Sequence, residues 1–210
     1  MRNDLLHYLE TAILPQYAAF TDGHDRSHAD MVLRESLHLA RAHGADEEMA
    51  YVIAAYHDLG IPQGRKEHHI NSAKLLLADK TLRTWFTEEQ LRLMAEAVED
   101  HRASAERPPR SLYGRIIADA DHFIVPEDII RRTMLYGQQH YGQLSPEEHI
   151  LRARQHMDEK FCKGGYLHFW LSDPRSLQGL EELRALVANE RRFRKECLRW
   201  LPSSRHTGGQ

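Results

Sequence analysis

The chain has little cysteine: two residues, Cys162 and Cys197, in 210. Two thiols give no disulfide framework to read, and a chain of this length can bury a core without such staples. Long hydrophobic runs are also missing, and no apolar stretch approaches the roughly 20 residues of a membrane span. The opening residues Met1, Arg2, Asn3 and Asp4, followed by an amphipathic run, lack the apolar centre of a secretory signal. Charge of one sign is absent too. Lys and Arg together number 28 against 31 Asp and Glu, for a net charge of −3, which argues against a general nucleic-acid coat protein. No internal repeat and no Gly- or Pro-rich linker separates two halves. These absences describe a reduced, cytoplasmic globular chain without a membrane partner or a strong nucleic-acid signal. It reads most simply as one domain over residues 1–202 with a flexible tail at 203–210. Its oligomeric state is left open.

What the chain does have is histidine, fifteen in all. It also has 22 Arg to 6 Lys, a bias compatible with an anionic ligand because the guanidinium fork fits phosphate and carboxylate.

Apolar residues recur at helical spacing almost throughout, and no strand alternates convincingly, so the expected class is all-α. The punctuation predicts helices at about 3–20 (kinked or ended near Pro15), 27–44, 47–58, 67–79, 88–101, 112–123, 126–140, 146–160 and 175–201. The third opens after Asp46 with Glu47 and Glu48 in its first turn and stops at Gly60 and Pro62. Apolar nearly all round, it should be the buried central helix.

That helix ends in His57-Asp58. The dipeptide alone says little, because at this composition chance supplies about one His-Asp pair, and His24-Asp25 is a second. Position says more. A helix carboxyl end is partly negative and favours a cation, and imidazole with carboxylate suits a divalent metal. Helical phase adds candidates. His28 shares a face with Val32 and Leu39, and His101 continues the stripe Leu91, Met94, Ala95, Val98. Asp121 lies four residues after Ile117 and beside Ala120, whereas Asp119 points almost opposite, leaving Asp121 as the inward carboxylate. An inward Asp is costly unless paired or metal-bound.

The order of these segments resembles the HD-domain superfamily of metal-dependent phosphohydrolases. The stretches that carry the resemblance are His24-Asp25-Arg26-Ser27-His28, Ala54-Ala55-Tyr56-His57-Asp58-Leu59-Gly60 and Ile116-Ile117-Ala118-Asp119-Ala120-Asp121-His122-Phe123. Between them lie Glu67-His68-His69-Ile70-Asn71-Ser72-Ala73 and Ala97-Val98-Glu99-Asp100-His101. The likeness spans about residues 20–170 and continues more loosely through 175–201. It implies a single helical bundle with a metal site at its centre. His28, His57, Asp58 and Asp121 would be the metal ligands, and His68, His101 and Asp58 the catalytic group. His68 and His101 would serve either as ligands of a second metal or as phosphate contacts. Family register selects His68, while helical phase against Ala73, Leu76 and Leu77 favours its neighbour His69; His68 is taken here. His24, His69 and His122 flank the motifs as candidate supporting partners.

The same resemblance places Arg132, ahead of Tyr136-Gly137, and Lys160 at substrate-binding positions, with solvated helix charges as the plain alternative. Where similar small proteins continue the distal motif with an acidic residue, this chain has Val125. The implied cofactor is one divalent metal, drawn from Mn, Mg, Fe, Co or Ni. Zn is less favoured because no Cys lies near the motifs. The implied reaction is hydrolysis of a phosphate ester or anhydride in a small phosphorylated substrate, nucleotides included. Two alternatives stand beside it: a di-iron oxygenase on the same scaffold, for which all six residues are present, and a metal-binding regulatory protein without turnover. The loop after His101, with Arg102, Arg107, Arg110 and Arg115, reads as solvated, the alternative being a phosphate-gripping lid.

Overall fold

A computed structural model describes residues 1–20, 24–104 and 107–201, and among these the regular structure is helical with no strand. The tail expected at 203–210 and part of the loop expected at 21–25 lie outside the described residues. Backbone contacts sort the chain into two compact units. The first is Met1–Phe123 with Leu167–Leu177, the second Ile124–Tyr166 with Gln178–Gln210.

The first unit holds α1 (Asn3–Tyr8), α2 (Arg26–Ala42), α3 (Glu47–Tyr56), α4 (His68–Ala78), α5 (Glu88–Asp100) and α6 (Leu112–Asp121). The helix expected at 3–20 does not run through. After α1 the chain widens into a π turn at Leu9–Ile13 and then tightens into 3-10 turns at Leu14–Ala19. Pro15 has no N–H to close the α ladder, which accounts for the change of winding. Side-chain caps fix the other starts. The Asp25 carboxylate accepts from the N–H groups of Ser27 and His28, which sets His28 in the first turn of α2. Asp46 does the same for α3, Ser111 caps α6, and Thr87 with Gln90 forms a capping box at α5.

As expected, α3 is the central helix. Met49 to Tyr56 are all buried, and α2, α4, α5 and α6 all pack against it or against one another. Residues 167–177 are fastened to this unit by polar contacts. Arg175 pairs with the buried Glu35 at 2.7 Å, His38 with Asp173 at 3.2 Å, and the Asp119 carboxylate accepts from the N–H groups of Trp170 and Leu171 at 2.8–3.1 Å.

In the second unit α7 (Pro126–His140) packs on α8 (Pro146–Lys160), and α10 (Glu190–Arg199) packs on both. The single helix expected at 175–201 is two. α9 (Pro174–Ala188) stops, Asn189 turns extended, and its side chain accepts from the Arg192 N–H to start α10. Asparagine offers the backbone a local hydrogen bond that competes with the helix, which is why the break falls there.

Candidate metal centre

Five helices of the first unit deliver side chains to one place. Three do so from their carboxyl ends: His57 and Asp58 follow α3, His101 follows α5, and Asp121 with His122 closes α6. His28 comes from the first turn of α2 and His68 opens α4. Three partly negative helix ends meet at the cluster, a field that favours a cation.

The ligand atoms of His28, His57 and Asp121 lie within 4.8 Å of one another, as do those of Asp58, His68 and His101, and those of His24, His28 and Asp58. His28 Nε2 is 3.0 Å from Asp121 Oδ1, and His57 Nε2 is 3.2 Å from Asp58 Oδ2. On the other side of the same carboxylate, Asp58 Oδ1 is 3.4 Å from His68 Nε2 and 3.6 Å from His101 Nε2. Asp58 is thus shared between two groups.

The backbone fixes the tautomers. Nδ1 of His57 lies 2.7 Å from the Ala54 carbonyl, Nδ1 of His68 lies 2.7 Å from that of Arg65, and Nδ1 of His101 lies 2.6 Å from that of Val98. A carbonyl only accepts, so each Nδ1 carries the hydrogen and each neutral ring turns an Nε2 lone pair inward. His68 Nε2 and His101 Nε2 then face each other at 2.9 Å. Two lone pairs at that distance, beside a carboxylate, repel unless a cation joins them. His57 Nε2 and Asp58 Oδ1 are buried and make no hydrogen bond. Buried acceptors without donors are costly, and a divalent cation would satisfy these donor atoms together. The residues present therefore fit a metal.

The electrostatics agree. Burial alone would lower the pKa of His57, but Asp58 and Asp121 beside it hold it at about 9, so a proton occupies its Nε2 when no metal does. Burial opposes the ionisation of Asp58 and Asp121. Even so, His57 and His24 around the first, and His122 and His28 around the second, keep both carboxyls well below the usual range. His68 goes the other way: burial first, then the neighbouring His101, push it down to about 4.

Each proposed metal position, along with His68 and His101, is therefore brought to the cluster. Of the two candidates on α4, His68 reaches it; His69 is absent from all three ligand groups, and its Nδ1 is buried without a hydrogen bond. Arg132 and Lys160 belong to the second unit. There Arg132 pairs with Asp128 at 3.2 Å, and the Lys160 ammonium sits 5.2 Å from the Phe161 ring centre. In the arginine loop, Arg110 is bound to Asp100 and Glu99, and Arg107 lies 3.5 Å from Asp100. Ala105 and Glu106 fall outside the described residues.

His24 was expected as a supporting partner, whereas Tyr17 and Asp119 were not legible as such. His24 Nε2 lies 3.0 Å from an Arg65 guanidinium nitrogen, which can only donate, so His24 must donate through Nδ1 to Asp58 Oδ2 at 2.6 Å. Tyr17, from the irregular segment before α2, accepts the Asp58 backbone N–H at 3.2 Å. Burial and the Asp58 charge push its phenol well above the ordinary value. Asp119 does point away from the cluster, as its phase predicts, but it meets residues 170–171 rather than solvent and is 1% exposed.

Comparison with known proteins follows this geometry. No curated protein matches the chain. A crystal structure of a Lactobacillus plantarum protein matches over 89% of this chain and 95% of its own, with 18% identity and a TM-score of 0.64, which shows a shared fold. The family model described as HD domain matches residues 26–124, a span that contains His28, His57, Asp58, His68, His101 and Asp121. Residues 26–124 of this chain are an HD domain.

Proposed function

We propose that the chain is a metal-dependent hydrolase of a phosphate ester or anhydride. The observation that carries this reading is the set of three rings whose Nδ1–H groups are all spent on backbone carbonyls, so that their Nε2 lone pairs converge on Asp58. His28, His57, Asp58 and Asp121 would hold one divalent metal, and Asp58 with His68 and His101 forms the place for a second or for the substrate's phosphoryl oxygens. A bound divalent metal supplies a water of lowered pKa and an electrophile for a phosphoryl oxygen.

The protein's own groups do the rest. Asp58 and Asp121 stay ionised and keep the centre negative enough to hold a cation. His24 and Tyr17 fix Asp58, one at its carboxylate and one at its backbone. His68 is neutral at pH 7, and with each Nδ1 spent on a backbone carbonyl the Nε2 atoms of His68 and His101 are free to accept a proton or to hold a metal. Arg132 and Lys160 are kept as proposed substrate contacts on the strength of the resemblance alone.

The test is metal analysis of the purified chain together with phosphate release across a panel of nucleotides and phosphomonoesters. A Mn- or Mg-type site with turnover, abolished in His57→Ala and Asp58→Ala, supports the hydrolase. Variants that fold, lose metal and release phosphate as fast as the parent refute it. Two irons per chain with a visible absorbance band would transfer the assignment to the oxygenase, and bound metal with turnover on neither panel to the regulatory protein.

A further inference from the structure

The chain enters α4 through a 3-10 turn at Arg65–Glu67, and Gly64 ahead of it takes φ +131°, a conformation that glycine alone adopts without strain. Arg65, Lys66 and Glu67 are exposed. The turn is nevertheless tied to every member of the Asp58–His68–His101 group, and each tie is of a different kind. The Arg65 carbonyl accepts the Nδ1–H of His68 at 2.7 Å. The Arg65 guanidinium donates to His24 Nε2 at 3.0 Å, and His24 Nδ1 in turn donates to Asp58 Oδ2 at 2.6 Å. The Lys66 carbonyl accepts from Arg102 Nη1 at 2.9 Å, and Arg102 directly follows His101.

Two of these ties run through backbone carbonyls; the third depends on the Arg65 side chain and can be cut by substitution. Two donors cannot share one hydrogen bond, so the guanidinium on Nε2 holds His24 in the tautomer that carries its hydrogen on Nδ1, aimed at Asp58. Without the guanidinium, Nε2 faces water, and the ring can turn or carry its hydrogen on Nε2 instead. Asp58 then loses a donor that fixes its carboxylate, the one carboxylate that both ligand groups share.

We infer that Arg65 is a positioning residue of the metal centre, acting on Asp58 through His24 and so setting the geometry that Asp58, His68 and His101 offer to a cation. This role rests on the cluster being a metal site and requires no hydrolysis. Charge and position predict opposite signs for it. Arg65 is a cation beside a cation site, so by Coulomb repulsion alone its removal strengthens metal binding. As a positioning residue its removal weakens metal binding, because the shared carboxylate is no longer held.

The experiment is competition titration of the full-length, metal-stripped chain with Mn²⁺ against a fluorescent chelator. The set is the parent, Arg65→Ala, Arg65→Lys, His24→Ala and the Arg65→Ala/His24→Ala double variant. Circular dichroism and the unfolding midpoint show that each is folded. Arg65→Ala should bind Mn²⁺ about tenfold more weakly than the parent. Arg65→Lys, whose ammonium also only donates and keeps the charge, should bind nearly as tightly as the parent. Once His24 is alanine, removing Arg65 should cost no further affinity, which is the coupling a double-mutant cycle reads. A folded Arg65→Ala chain that binds Mn²⁺ as tightly as the parent, or more tightly, overturns the inference. So does an equal loss from Arg65→Ala with and without His24. A parent that binds no Mn²⁺ removes the metal reading and the role of Arg65 together, whereas a parent that binds it alike with every Arg65 variant removes that role alone.

Discussion

Gly60 offers a sharp test of how the centre is held. It closes the turn that carries His57 and Asp58, and its N–H donates to Ser72 Oγ at 2.8 Å. Its backbone, with φ −79° and ψ −5°, is one that any residue adopts. On conformational grounds alone Gly60→Ala should therefore stabilise the chain by about 0.4–1 kcal/mol, by restricting the unfolded state. The surroundings reverse that sign. A Cβ at this position would lie 2.6 Å from Ser72 N and 2.7 Å from Asn71 Cβ, and would press directly on the His68 carbonyl oxygen. Two of these three are backbone atoms of α4, which cannot rotate away, so the helix has to move. Overpacking costs about 1–3 kcal/mol, and because backbone must shift the upper part of that range, about 2–3, applies, leaving a net loss of about 1–2.6 kcal/mol once the conformational gain is subtracted. For a chain of this size that is a fall in Tm of about 2–10 °C. Because the displaced helix begins with His68, 3.4 Å from Asp58 Oδ1, the variant should also bind metal less well at the Asp58–His68–His101 group. Calorimetric unfolding and metal titration read the two effects. A Gly60→Ala protein whose Tm equals or exceeds that of the parent would show that the close approach of α4 to this turn is not what requires glycine.

Other perturbations follow from the same geometry. His57 holds its proton up to about pH 9, so its ion pair contributes stability to the metal-free chain that is fully present below the ordinary histidine value and is lost as pH rises through 9. Metal loading at pH 7 must expel that proton, and calorimetry in two buffers of different ionisation enthalpy should show about one proton released; heats independent of buffer would contradict the protonation of His57 in the metal-free chain. His68, depressed to about 4, has no proton to lose at pH 7, so His68→Gln should leave that release unchanged while weakening metal at the second group. His24→Ala should reduce metal affinity by about 10–100-fold without unfolding the chain, because it orients Asp58 from outside; unchanged affinity in a competition titration would dismiss that role. Asp100→Asn should lower stability by about 1–3 kcal/mol, since it strips the charged acceptor from Arg110, and denaturant unfolding measures it.

Much of this was readable before any coordinates, and the exceptions have physical causes. The runs at 126–140 and 146–160 fall where expected because Pro126 and Pro146 sit at the first helical position and Ser145 with Glu148 caps the second. The His57-Asp58 turn was legible because α3 is apolar nearly all round and a glycine stops it. Phase misjudged His68 against His69 because the residue sits at the very start of α4, where the face is set by the incoming turn and the hydrogen bond to the Arg65 carbonyl. Asp119 pointed away from the core by periodicity, but a segment some fifty residues later covers that face, and no local pattern encodes it. The helix expected at 175–201 is broken at Asn189, whose side chain caps α10. His24 was named as a candidate supporting partner, but its target was not legible, because its bond to Asp58 spans thirty-four residues of sequence.

The three imidazoles around Asp58 each take their anchor from the peptide three residues earlier in their own chain segment. Their orientation is thus settled by backbone winding before any ion arrives, so the rotamer entropy of the ligand set is largely spent during folding rather than on loading. An incoming metal meets a preorganised socket, and the metal-free and metal-bound forms should superpose closely, with the exchange of a proton for a cation as the main event.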